Sequence, residues 1–178
     1  MPTSTTDLWD AITGEAEAES RLWTAALRPR EEQERTPVFS PLAEARYALG
    51  IETIYEGYLL HYGRPRLFGP EDGDTGLLLG DYLYAHGLVR IEQVGTVAAV
   101  NDLAELIALC AYLQAEKIAG DGALWAATAA LLGRDALDDA RASLRLDNDP
   151  RPLERCAREQ AGDPPVTTAL AAHRERLR

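Results

Sequence analysis

The side chains that could do chemistry concentrate between Leu59 and Leu88. His61 ends one apolar run, Arg64 and Arg66 lie in the basic loop after it, and Asp81 and His86 interrupt a second apolar run. Two arginines at the mouth of an apolar cavity could hold a phosphate through charge-assisted hydrogen bonds. An acid and a histidine in a leucine-rich segment must find partners or a wet cavity, because a polar group taken out of water without one is costly. Elsewhere, Asp138-Asp139 and Asp147-Asn148-Asp149 are adjacent acids, the first pair on a polar helix face and the second in a turn ended by Pro150; both read as solvated surface. Cys110 and Cys156 are far apart, without metal-ligand spacing, and read as small hydrophobes. The chain has no Gly-rich phosphate loop, nucleophile elbow, HExxH or paired CxxC.

The elements that must position these residues are helices, since Ala and Leu dominate while Val and Ile are sparse. The fold class expected is all-α, a helical bundle. Residues 1–6 are expected to be disordered, with Thr6 capping a first helix over 7–28 that places Trp9, Ile12, Ala16, Trp23 and Leu27 on one stripe. Residues 29–39, rich in Glu and Arg between Pro29 and Pro37, read as a solvated linker. Ser40-Pro41 starts a second helix to residue 62, closed by a left-handed Gly63; Gly50 and Gly57 lie near one face where another helix could approach, although the plainer reading is two glycines tolerated in a helix held by packing. A loop over 63–75 leads to a third helix over 76–89, capped by Thr75 and so surrounded by leucines that it is expected at the centre. Residues 90–96 read as a turn. Further helices are expected over 97–117 and 123–132, from Asp135, over 151–162 and over 166–178.

At 178 residues this is one domain, 1–178, large enough to bury about two thirds of its unfolded surface. A formal net charge of -11 opposes nucleic acid and anionic membrane surfaces. The N-terminus lacks a basic region followed by an apolar one, and Asp81 and Glu105 interrupt the longest apolar runs. No signal peptide and no membrane span are therefore expected, and the location expected is cytoplasmic.

The stretch Gly50-Ile51-Glu52-Thr53-Ile54-Tyr55-Glu56-Gly57-Tyr58-Leu59-Leu60-His61, the loop with Gly63-Arg64-Pro65, and Leu79-Gly80-Asp81-Tyr82-Leu83-Tyr84-Ala85 together resemble the trans-polyprenyl diphosphate synthase family. Gln114-Ala115-Glu116 and Gly122-Ala123-Leu124-Trp125 echo later motifs, so the resemblance covers residues 41–133. It implies a truncated isoprenoid synthase fold. In that family a DDxxD motif holds Mg²⁺ against the departing diphosphate. Here its place falls on Tyr62-Gly63 in the preferred register, or on Glu52-Thr53 and Glu56, as E-T-x-x-E, when Gly63-Arg64-Pro65 sets the alignment. Neither keeps the metal site, the second Asp-rich motif is absent, and the lysine of the K-T motif falls at or near Asp121.

The function this implies is that of a pseudoenzyme, with no catalytic residues, no metal and no Mg²⁺ bound in the family manner. It would act as a small or regulatory subunit of a heteromeric prenyl diphosphate synthase, paired with a catalytic subunit or with itself as a homodimer. An alternative is a lipid or isoprenoid binding module with an apolar cavity among the second, third and fourth helices and Arg64, Arg66, Asp81 and His61 as ligand-binding residues. Another is an unrelated helical self-association protein. An active prenyl transferase using Glu52, Glu56 and Asp81 is not expected.

Overall fold

A computed structural model describes the backbone of residues 5–177 and side chains from Leu8 onward. Among the described residues nine α-helices follow one another: α1 (Thr5–Glu19), α2 (Arg21–Ala26), α3 (Ala48–Tyr62), α4 (Gly73–Val94), α5 (Val97–Glu116), α6 (Asp121–Ala130), α7 (Asp138–Asp147), α8 (Arg151–Ala161) and α9 (Asp163–Arg176). Among the described residues there is no strand, only one isolated antiparallel bridge between Leu27 and Phe68. The all-α bundle expected from composition is the fold.

The central helix is α3 rather than α4. Every residue of α3 from Gly50 to Leu59 is buried, including Glu52, Thr53 and Glu56. On α4 only one side is buried, and Leu77 and Leu78 are 54% and 55% exposed. The two helices meet through glycines on both partners: Gly50 faces Gly87, and Gly57 faces Gly80. A Cβ on Gly57 would lie 2.8 Å from the Gly80 carbonyl oxygen, and one on Gly50 would lie 3.2 Å from that of Gly87. Each helix thus repeats glycine at seven residues, antiparallel to the other, and backbone approaches backbone where any side chain would hold them apart.

Around α3 lie two apolar clusters. The larger joins α3 to α5, α6, α7, α8 and α9 through residues such as Ile51, Leu106, Trp125, Leu144, Leu153 and Val166. The smaller joins α1 and α2 to α4 through Trp9, Ile12, Trp23, Phe68, Leu79 and Leu83. A buried ion pair, Arg141 to Asp102 at 2.9 Å, ties α7 to α5, and Asp102 also accepts the Gly133 N–H.

Several boundaries differ from expectation for local reasons. The first helix breaks at Ser20, whose hydroxyl accepts the Leu22 N–H and caps α2. Thr5 and Thr6 belong to α1, and the rest of the stretch expected to be disordered lies outside the described residues. Residues 40–47 form two 3₁₀ turns before α3 begins at Ala48. Gly63 is extended, not left-handed (φ -146°, ψ -151°). Asp72, not Thr75, caps α4: its carboxylate accepts both the N–H and the hydroxyl of Thr75. The turn expected over 90–96 is helix as far as Val94, because Arg90 is buried against Thr53 and Glu15. Asp135 sits at positive φ ahead of α7. The segment read as a solvated linker ends inside the core, with Val38 and Phe39 buried. Finally, α5 is long and apolar enough to cross a membrane by length and composition, contrary to expectation, although one of its sides is packed into the bundle.

Candidate functional site

The first polar centre is built on α3. One helical turn separates Glu52 from Glu56, so both carboxylates project from the same side, toward the loop carrying Arg66. Arg66 Nη1 lies 2.5 Å from Glu52, and its Nε lies 3.0 Å from Glu56, with all three side chains fully buried. The remaining hydrogen-bonding capacity is used by backbone: Glu52 Oε1 accepts the N–H groups of Val38 and Ser40, and Glu56 Oε1 those of Arg66 and Leu67. Arg66 also donates to the Thr36 and Glu52 carbonyls, and its guanidinium lies 4.8 Å from the centre of the Trp9 ring and 5.0 Å from that of Tyr55. Burial alone would lower the Arg66 pKa, but the two carboxylates reverse this and raise it. The arrangement pins two irregular segments, 36–40 and 66–67, onto α3.

Arg66 is therefore no ligand-binding residue at a cavity mouth: solvent does not reach it. Arg64 is exposed and lies 3.5 Å from Glu34. The apolar cavity expected among α3, α4 and α5 is closed on its α3–α4 side by the glycine contacts. Gly63, where the lost aspartates fall in the preferred register, is covered by the end of α9. A Cβ there would lie 2.9 Å from the Arg176 carbonyl oxygen, which accepts the Arg64 N–H.

His61 and Asp81 do come together. Their Nε2 and Oδ1 atoms are 3.2 Å apart, but out of line for a hydrogen bond, so His61 Nε2 is buried without a partner. The imidazole fits against α4 because residue 80 is glycine; a Cβ there would lie 2.6 Å from Nε2. Burial pushes the His61 pKa below its ordinary value, and the Asp81 carboxylate only partly restores it. Asp81 itself is largely exposed rather than buried, and half-buried His86 faces Glu15 of α1. Among the described residues no group of three or more His, Cys, Asp or Glu is placed to hold a metal. Cys110 is buried, as expected of a small hydrophobe, while Cys156 is only half-buried; both are free thiols.

Sequence reasoning missed a second polar centre, at the meeting of α3, α5, α6 and α9. Tyr55 OH lies 2.9 Å from His173 Nδ1, and His173 Nε2 lies 2.9 Å from Asp121 Oδ2. Asp121 also accepts the Tyr58 hydroxyl at 2.5 Å, and Tyr58 in turn accepts the Gln114 amide at 3.0 Å. Both ring nitrogens of His173 thus have a partner, the Tyr55 hydroxyl at Nδ1 and the Asp121 carboxylate at Nε2. Burial opposes the charge on Asp121, but the hydrogen bond and charge of His173, with hydrogen bonds from Tyr58 and the Gly122 N–H, outweigh it and lower its pKa. Burial raises the pKa values of both tyrosines, with Asp121 adding to the effect on Tyr58. Phe39 and Trp125 pack around these rings.

Asp121 and His173 border a cavity of about 260 Å³ shared with Pro150, Glu154, Leu170 and Arg174. Their hydrogen bonds are directed at one another, so the network works as a cross-brace between helices. Its members lie as much as 118 residues apart. The sequence signals were slight: Asp121 between two glycines, and a histidine in an otherwise ordinary terminal helix. Compared with known proteins, the chain matches no family model, no curated protein and no solved structure.

Proposed function

We propose that the chain is a non-catalytic, prenyl-synthase-like helical protein that serves as the small or regulatory subunit of a heteromeric prenyl diphosphate synthase. The observation that carries this reading is the engagement of Glu52 and Glu56 by Arg66, with no exposure of any of the three side chains. In the register where these acids stand for the metal-binding aspartates, their lone pairs are already directed at a guanidinium and at backbone N–H groups. A divalent cation there would have to displace Arg66 and leave it buried without a counter-ion, which is strongly unfavourable. In the other register the end of α9 covers Gly63. Both placements support a protein that keeps helices and gives up metal-assisted ionisation, so its role falls to binding a catalytic subunit.

The test is reconstitution. Incubated with an allylic diphosphate, isopentenyl diphosphate and Mg²⁺, the purified chain releases no diphosphate. Added to the catalytic prenyl diphosphate synthase of its own host, it changes that enzyme's rate or product chain length. Turnover by the chain alone, or a synthase indifferent to its presence, would overturn the proposal.

A further inference from the structure

The outward side of α4 and α5 combines two properties seldom found together on a free surface. It exposes large apolar side chains: Leu77, Leu78 and Val89 on α4, and Val97 and Tyr112 on α5, with Val97 78% exposed. Helices of 22 and 20 residues are each about 30 Å long, so together they present an extended surface. Apart from Lys117 at the end of α5 and Arg46, which donates to the Val94 carbonyl, the exposed charge around these residues is acidic. Asp74, Asp81, Glu92, Glu105 and Glu116 are exposed, and Arg90, the sole arginine or lysine between residues 73 and 116, is buried against Thr53 and Glu15. Arg145 of α7 reaches only Glu105.

We propose that this side of α4 and α5 docks a protein whose own apolar face is edged by Lys and Arg, and not a second copy of this chain. A two-fold interface presents the same surface twice, so self-association would set this acidic rim against itself in a molecule of net charge -11. A basic edge removes the repulsion and speeds encounter, while the leucines and Tyr112 supply the buried centre. This surface assignment rests on the subunit reading above and names the chemistry of its partner.

Purified full-length chain is first sedimented at low and high salt and mixed with phosphatidylcholine vesicles. A monomer that leaves the vesicles unbound is expected; a dimer dissolved by Leu78→Glu, or binding to the vesicles, overturns the proposal. Tagged wild type, Leu78→Glu and the double variant Glu92→Lys/Glu116→Lys are then used as baits in host extract, each shown by circular dichroism to melt as wild type does. The expected result is one protein held by wild type and lost at least tenfold from both variants, with a basic face in its own sequence and binding that weakens with salt. Capture of a prenyl synthase equally by all three baits overturns the surface assignment and leaves the subunit reading standing. A basic partner lost from both variants that is no prenyl synthase does the reverse. Wild type that captures nothing overturns both.

Discussion

Arg66 Nη1 and Glu52 Oε2 lie 2.5 Å apart with neither side chain exposed, and Glu56 closes the other side of the same guanidinium. Such a group is stable only when complete, because removing one partner leaves a buried, unpaired charge at a cost of about 3–5 kcal/mol. Arg66→Ala, Glu52→Ala and Glu56→Ala are therefore each expected to lower the urea midpoint sharply. Mg²⁺ is expected to leave the wild-type midpoint unchanged, since the acids are occupied; a midpoint that rises with Mg²⁺ would show them free to bind metal.

The crossing of α3 and α4 gives a second prediction, with a built-in control. At Gly57 a Cβ would meet the Gly80 backbone 2.8 Å away, and neither carbonyl nor helix can move independently. Gly57→Ala should cost about 1–3 kcal/mol through overpacking. Gly14 in α1 has nothing within 4 Å of the same added atom, so Gly14→Ala should stabilise by up to about 1 kcal/mol through helix propensity. Thermal melts of both variants decide it, and equal shifts of either sign would remove the close crossing from the explanation.

The His173–Asp121 brace makes acid stability a readout of one carboxylate. Although burial opposes its charge, the hydrogen bond and charge of His173, with hydrogen bonds from Tyr58 and the Gly122 N–H, hold the Asp121 carboxyl below its ordinary 3.8. A folded pKa below the unfolded one means the stabilisation is fully present above about pH 4 and is lost as pH falls through the folded value. Asp121→Asn is thus expected to be less stable than wild type near neutrality, with the gap narrowing in acid. A gap that stays constant from neutral pH to well below the carboxylate range would falsify the assignment.

His61 is a second titrating group, with a separate probe. Its burial disfavours the imidazolium, so its NMR titration should fall below 6.5, with stability declining as pH drops through that range. Asp81 opposes the effect from 3.2 Å, so Asp81→Asn should move the midpoint lower still. A midpoint that rises in the variant would mean the carboxylate does not act on the ring.

Much of this fold was legible from residue type and spacing, and the errors share one cause. Ala and Leu richness led to the helices, and Pro29, Gly133 and Pro150 ended helices near where they stand; the seven-residue spacing of Gly50 and Gly57 allowed a close helix approach, but tolerated glycines were the plainer reading. The expectation that α4 is central failed because Leu77 and Leu78 look buried by composition, yet among the described residues both are more than half exposed. Arg66, placed at a cavity mouth by its loop sequence, proved to be enclosed by acids on α3.

What the sequence determined by itself is that the chain is helical and roughly where its longer helices lie, because propensity and a period of 3.6 residues act over a few turns. Tertiary structure alone decided what each helix meets. Arg66 reaches back to Glu52 and Glu56, His173 reaches Asp121 across 52 residues, and the apolar side of α4 and α5 is left facing outward. Those contacts depend on how helices far apart in the chain come together, and no local pattern encodes that geometry.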